Sequence, residues 1–284
     1  MAPDARAAGN MMKKALNQMT TPHLSFAAFL DLARALGCVG VEARNDMDAL
    51  GRPLFDGMDP AEAGQMIRDH GLRLVGLSQV YPFNVWDAAR KDEVATLIAT
   101  AKAAGAENIS LIPRNDGAGA GNGERQANLR IALKDIYPML VAADMVALVE
   151  PLGFGRSSLR SKQELVDTIV ALGIADRVKL VHDTFHHALA GGGDIYPAQT
   201  GIVHISAVID PSLPCDEMQD AHRVLVGPDD RLGTVDQIAA LLAAGYDGPV
   251  SYECFSPETQ ALRDPLHDIG ASFAYIEAQI EAYV

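Results

Sequence analysis

Val146-Ala147-Leu148-Val149-Glu150-Pro151 is a short apolar run that ends in a carboxylate and a proline. The helical pattern Lys162–Leu172 follows it, and then a second apolar run, Val178-Lys179-Leu180-Val181-His182-Asp183, again ends in a carboxylate. Strand, helix and strand in this order form a crossover unit, and a helical crossover joins parallel strands. The same alternation extends in both directions. Upstream, Lys14–Met19 reads as a strand and Ser25–Leu36 as an amphipathic helix, and a glycine stop at Gly37 leads into a strand ending at Arg44. Asp59-Pro60 opens a helix that Gly71 closes, with proline just inside the start and glycine just past the end. Strands over Leu72–Val80 and Asn108–Pro113 alternate with helices over Trp86–Ala104 and Glu124–Ala143. Downstream, Ile202–Ala207 and Val250–Phe255 are strands, and Thr234–Ala244 and Pro265–Ala282 are helices.

Eight alternations in a chain of 284 residues predict an α/β fold, a single (β/α)8 TIM barrel. A doubly wound open sheet is the competitor. It carries a glycine-rich phosphate turn after its first strand, and Gln18-Met19-Thr20-Thr21-Pro22 is no such turn. Residues 12–284 are expected to form one domain behind a loose tail, residues 1–11. The glycine-rich stretch Asp116–Glu124 reads as a flexible loop beside the site.

The composition, 49% hydrophobic and 21% charged, suits a globular protein with a large core. A formal net charge of -14 repels phosphate backbones, and no basic patch offsets it, so a nucleic-acid partner is not expected. Cys38, Cys215 and Cys254 are too few for a disulfide framework and lack zinc-finger spacing. The start, MAPDARAAGNMMKK, has no apolar core for a signal peptide, and no stretch approaches the roughly 18 apolar residues of a membrane span. A cytoplasmic protein with no membrane partner is expected.

In such a barrel, side chains at the carboxyl ends of the strands converge on one face. Four of these ends carry Glu150, Asp183, His204 (between Val203 and Ile205) and Glu253 (between Tyr252 and Cys254). Each alone has a bland reading, as a helix cap, a loop ion pair or a hydrogen-bonded core histidine. Together, their like charges would repel in low dielectric unless a cation joined them. Three carboxylates and one imidazole suit one divalent metal ion, with Mn2+ the leading choice and Mg2+, Co2+ or Zn2+ the alternatives.

The segments Glu150-Pro151-Leu152-Gly153-Phe154, Val181-His182-Asp183-Thr184-Phe185-His186-His187, His204-Ile205-Ser206, Asp220-Ala221-His222-Arg223 and Glu253-Cys254-Phe255 carry a resemblance over nearly the whole chain. It resembles the sugar isomerase/epimerase family of xylose-isomerase-like TIM barrels, and within it the inosose (2-keto-myo-inositol) isomerase branch. The resemblance implies that Glu150, Asp183, His204 and Glu253 bind the metal and that His186 and Arg223 bind the substrate. It also implies proton transfer through a metal-held enediolate, with Glu150 and Glu253 as the catalytic acid–base pair. The substrate would be a small keto-polyol or ketose. Homo-oligomerisation is left open.

One departure favours the keto-inositol branch. Ketose 3-epimerases of this superfamily usually place another glutamate just beyond the strand-five ligand, whereas this chain has Gly155, Arg156, Ser157 and Ser158. A ketose 3-epimerase, another ketose or keto-acid isomerase and a keto-inositol dehydratase remain alternatives on the same metal site. A phosphodiesterase like the DNA-repair endonucleases of this barrel would need further His and Glu ligands and a cationic groove. A pure binding module would not require all four ligands. Asn17, Gln18, Glu42, Arg44, Gln79, Tyr81, Arg114 and Asn115 are further candidate pocket groups. Trp86 is a candidate pocket wall, while His182 and His187 read as structural.

Overall fold

The computed structural model describes residues 12–282. Eight parallel strands close into a barrel in sequence order: β1 Lys13–Asn17, β2 Gly40–Arg44, β3 Arg73–Val80, β4 Asn108–Leu111, β5 Val146–Val149, β6 Val178–Asp183, β7 Thr200–Ile205 and β8 Pro249–Tyr252. The helices are α1 Phe26–Ala35, α2 Pro60–Asp69, α3 Ala88–Ala104, α4 Glu124–Ala143, α5 Lys162–Leu172, α6 Thr184–Leu189, α7 Thr234–Ala243, α8 Pro257–Gln260 and α9 Pro265–Glu281. The expected barrel is thus the observed one. The tail assigned to residues 1–11 lies outside the described residues.

Helix starts fall where short polar side chains can satisfy free N–H groups. Ser25 caps α1, Asp59 caps α2, Asp87 caps α3 and Ser161 caps α5 through their side-chain oxygens. Several strands end earlier than their apolar runs. The run Lys14–Met19 leaves the ladder after Asn17, whose side chain accepts the Met19 N–H at 3.0 Å and turns Gln18–Thr20 into a 3-10 helix. Helices α6 and α8, six and four residues long, went unread because neither is long enough to show a 3.6-residue period.

The barrel core explains where the chemistry can sit. Most of the apolar core packs between the outer strand faces and the helices, while Ala15, Val75, Leu148, Val181 and Ile202 form a separate cluster. Side chains alternate along a strand with period two, so the residues two further on share its face. From Ala15, Leu148, Val181 and Ile202 that step leads to Asn17, Glu150, Asp183 and His204. The register agrees, with Asp183 opposite His204 and Asn17 opposite Glu42. An apolar layer is therefore overlaid by a polar one at the carboxyl ends of the strands. Among the described residues, no helix is long and apolar enough to cross a membrane.

Candidate metal centre

The structure brings the four expected ligands together. Glu150, Asp183, His204 and Glu253 come from the ends of β5 to β8, and one ligand atom from each lies within 4.8 Å of all the others. They are 5%, 2%, 2% and 3% exposed. Glu150 extends one residue past β5 and is anchored by its N–H to the Leu111 carbonyl. Asp183 is both the last residue of β6 and the N-cap of α6: its Oδ1 accepts the His186 N–H at 2.9 Å. That cap gives the Asp183-x-x-His186 spacing a physical origin, because it sets His186 in the first turn of α6, beside the cluster. His186 Nε2 lies 4.0 Å from Glu150 Oε1, with its ring against Phe154 and Phe185.

His204 is oriented from behind. Its Nε2 lies 2.9 and 3.1 Å from the two oxygens of Glu42, which is fully buried and also accepts from Ser251 Oγ at 2.6 Å. A carboxylate only accepts, so the imidazole proton sits on Nε2 and the Nδ1 lone pair is free to ligate. Nδ1 lies 3.4 Å from Glu253 Oε2 and 3.7 Å from Glu150 Oε1, and it hydrogen-bonds to neither. Glu150 Oε1 is likewise buried without a hydrogen-bond partner among the described residues. Two orphaned buried donor atoms facing one point fit a cation between them.

Charge leads to the same reading. Glu42, Glu150, Asp183 and Glu253 are four buried carboxylates, opposed by the buried guanidiniums of Arg44 and Arg223. Burial opposes it, but the charges of Glu42 and Glu253 raise the His204 pKa well above its ordinary value. Holding an ion through Nδ1 requires the neutral ring, and two negative charges then remain for one divalent ion to cancel. Three carboxylate groups and one imidazole favour a hard or borderline ion over one that requires thiolates.

The two arginines divide the carboxylates unequally. Arg44 Nη1 lies 2.5 Å from Glu253 Oε1, while its Nε and Nη2 grip Asp46. Arg223 Nη2 donates to Asp183 Oδ2 at 2.5 Å and to Glu253 Oε2 at 3.2 Å, and its Nε donates to Ser206 Oγ. Asn17 adds a contact to Glu253 Oε1 at 3.4 Å. Burial alone would raise the pKa of Glu253, but His204, Arg223 and Arg44 together hold it well below the usual carboxylate range. Glu150 has His186 and His204 as its ion-pair partners among the described residues, with no guanidinium. Burial raises its pKa, His204 opposes this, and the charges of Glu253 and Asp183 add to it.

Above the cluster opens a cavity of about 240 Å3. Gln79, Tyr81 and Asn115 supply polar groups to its wall, and Phe154 and Phe255 supply aromatic faces. The remaining pocket candidates separate. Gln18 accepts the Arg44 N–H from inside the barrel, Arg114 pairs with Asp116, and Trp86 donates to Asp135 away from the cavity. Arg156 stacks 4.6 Å over Phe154 and donates to the Asn115 carbonyl and Gln219 Oε1, tying three loops together. His182, read as structural, is fully buried between Lys162 and Gln237. The sequence placed Glu42 and Arg44 at the pocket but did not show what they hold. Their parity, both facing inward two residues apart on β2, was the available signal.

Comparison with known families gives a match over residues 30–278 to the xylose isomerase-like TIM barrel. The chain belongs to this family. Among curated proteins no match was found. Among solved structures, a xylose isomerase domain-containing protein of Salmonella typhimurium is 29% identical with a TM-score of 0.81, covering 95% of each chain. The IOLI protein, whose structure has a bound zinc atom, is 19% identical with a TM-score of 0.82 and covers 96% of this chain and 99% of its own. A D-psicose 3-epimerase of Clostridium cellulolyticum, solved with D-tagatose, is 16% identical with a TM-score of 0.68 over 96% of this chain and 99% of its own. Further solved structures of similar fold, each 16% identical, include a 3-keto-D-glucoside 4-epimerase of E. coli with a TM-score of 0.65 over 94% of this chain and 99% of its own, and an AP endonuclease family 2 protein of Brucella melitensis with a TM-score of 0.64 over 88% of this chain and 95% of its own.

Proposed function

We propose that this protein is a divalent-metal-dependent isomerase or epimerase of small keto-polyols, with keto-inositols as its preferred substrates. The observation that carries the reading is the buried cluster of Glu150, Asp183, His204 and Glu253 at the floor of a small polar cavity. These four residues would hold the ion, and Mn2+ is the ion expected. When bound, it supplies Lewis acidity that makes the C–H beside a substrate carbonyl easier to ionise.

The chain's own residues then move the proton. Glu150 and Glu253 flank the site, and one of them takes the proton from the carbon next to the carbonyl. The other returns a proton to the neighbouring carbon or the opposite face. One proton leaves and one arrives, so no oxidant or reductant is needed. His186 lines the cavity beside Glu150 and would hydrogen-bond a substrate oxygen. Arg223 is turned onto Asp183 and Glu253 and would act on the substrate mainly by holding those carboxylates in place.

The substrate preference rests on the loop after Glu150. Arg156 packs on Phe154 there, and no carboxylate of that loop reaches the cavity wall. A free ketose would lose a charge-assisted acceptor for its terminal hydroxyls, whereas a ring ketone has no terminal hydroxymethyl group to satisfy. The expected kcat/KM for 2-keto-myo-inositol is roughly tenfold or more above that for fructose, tagatose or psicose. Side-by-side initial rates test this, and a clear preference for a free ketose would move the assignment to the epimerases.

A further inference from the structure

Beside the metal pocket lies a second cavity, of about 270 Å3, bounded on one side by Asp183 and His186. Nothing in the proton transfer above uses it. One wall is the start of α5, an 11-residue helix capped by Ser161. Helix geometry leaves the N–H groups of Lys162 and Gln163 without an acceptor inside the helix, and both residues line the cavity.

Lys162 is an unusual cation. Its Nζ lies 2.8 Å from His182 Nδ1, and His182 Nε2 lies 2.9 Å from Gln237 Oε1. The Gln237 amide nitrogen donates to the carbonyls of Thr184 and Leu232, which fixes its oxygen toward His182. His182 therefore carries its proton on Nε2 and accepts from Lys162 as a neutral ring. Burial lowers the Lys162 pKa to about 7, with the charge of Asp183 opposing the shift. A buried ammonium whose hydrogen-bond partner is neutral has donors left over for an anion.

A second, independent observation is His187. It is 8% exposed, lines the same cavity, and its Nδ1 has no hydrogen-bond partner among the described residues. Burial and the Lys162 charge lower its pKa to about 4, so it meets a ligand as a neutral ring with one N–H to donate. Of the nearby carboxylates, Asp183 has both oxygens engaged, one by the His186 N–H and one by Arg223, and Asp194 stands at the exposed rim.

We propose that this cavity is a second binding site, separate from the metal centre, that takes a phosphate-type oxyanion on Lys162, His187 and the α5 N-terminus. The oxyanion is either free phosphate or the phosphate group of a monoester. His186 lines both cavities, so the two sites share a wall at that side chain.

The test is binding, not turnover, so its failure is distinct from failure of the proposed reaction. The full chain is titrated with inorganic phosphate and, separately, glycerol 3-phosphate, at constant ionic strength set by potassium chloride. The readouts are 31P line shape and the His187 ring resonances. Saturable binding that shifts His187, and that weakens roughly tenfold or more in Lys162→Met, supports the site. Tighter binding of glycerol 3-phosphate identifies a monoester as the ligand, and equal or tighter binding of inorganic phosphate identifies the free ion. The His187 shift in the unsubstituted protein keeps the test decisive if Lys162→Met folds poorly. No saturable shift, the same shift with chloride alone, or equal affinity in a folded Lys162→Met protein overturns the proposal.

Discussion

Glu42→Gln is the substitution that most directly separates a built metal site from a cluster of polar core residues. In the native arrangement both oxygens of Glu42 face His204 Nε2, at 2.9 and 3.1 Å, and Glu42 has no exposed surface. The carboxylate keeps the imidazole proton on Nε2 and leaves Nδ1 for the ion. A glutamine can turn its NH2 toward Nε2 and drive that proton onto Nδ1, the ligating atom. If it turns its oxygen instead, the site still loses one negative charge. Loss of such a supporting carboxylate typically costs 10- to 100-fold in metal affinity, or about 1.4–2.8 kcal/mol. The upper end is expected, because no water can reach Glu42 to replace it. Competition against a chelator measures the affinity, with circular dichroism to verify the fold. Affinity within about twofold of the unsubstituted protein, in a folded variant, would refute the reasoning. Gly76→Ala is the companion test. A Cβ at Gly76 would lie 3.0 Å from Glu42 Oε2 and 3.2 Å from its Cγ, so a smaller loss of the same sign is expected.

Glu150→Gln and Glu253→Gln should each lower turnover by roughly 100-fold or more even where metal is retained, since each removes a proton-transfer group. Steady-state rates with elemental analysis decide this, and near-normal turnover in either variant removes it from the acid–base pair. His186→Ala should keep its metal and lose most catalysis; metal loss equal to that of Asp183→Ala would make His186 a ligand instead. The Lys162 pKa, lowered from 10.5 to about 7, gives a pH signature. Between those values the unfolded chain holds a proton that the folded chain lacks, so stability rises with pH, and the cost of burying the charge is fully present below about 7. The stability of Lys162→Met relative to the unsubstituted protein should therefore fall as pH rises from about 7 toward 10.5, by thermal denaturation. A difference independent of pH would place the lysine charge in solvent.

The barrel was legible because its parallel strands are buried on both faces and read as apolar runs, each bounded by caps and glycines. The four cluster residues were legible for a related reason. A carboxylate or histidine at the end of such a run interrupts it at the barrel mouth, as Glu150 and Asp183 do. What stayed hidden depends on the closure of the barrel. Glu42 and His204 are 162 residues apart, and Arg44 and Glu253 are 209 apart, so no local pattern pairs them. The resemblance made Arg223 a substrate group, and it does line the cavity, but its grip on Asp183 and Glu253, 40 and 30 residues away, has no local signal. Arg156 shows the opposite limit: its charge stood out in the sequence, but its stacking on Phe154 emerges only when the loops meet.

The central claim is that the ion held by Glu150, Asp183, His204 and Glu253 makes a substrate C–H exchangeable. The direct measurement is deuterium incorporation from D2O into 2-keto-myo-inositol, followed by NMR with protein that is metal-loaded, chelator-stripped and then metal-restored. The account predicts exchange at the carbon beside the carbonyl, its loss on stripping and its return with the divalent ion. Undiminished exchange after verified removal of the metal would contradict it.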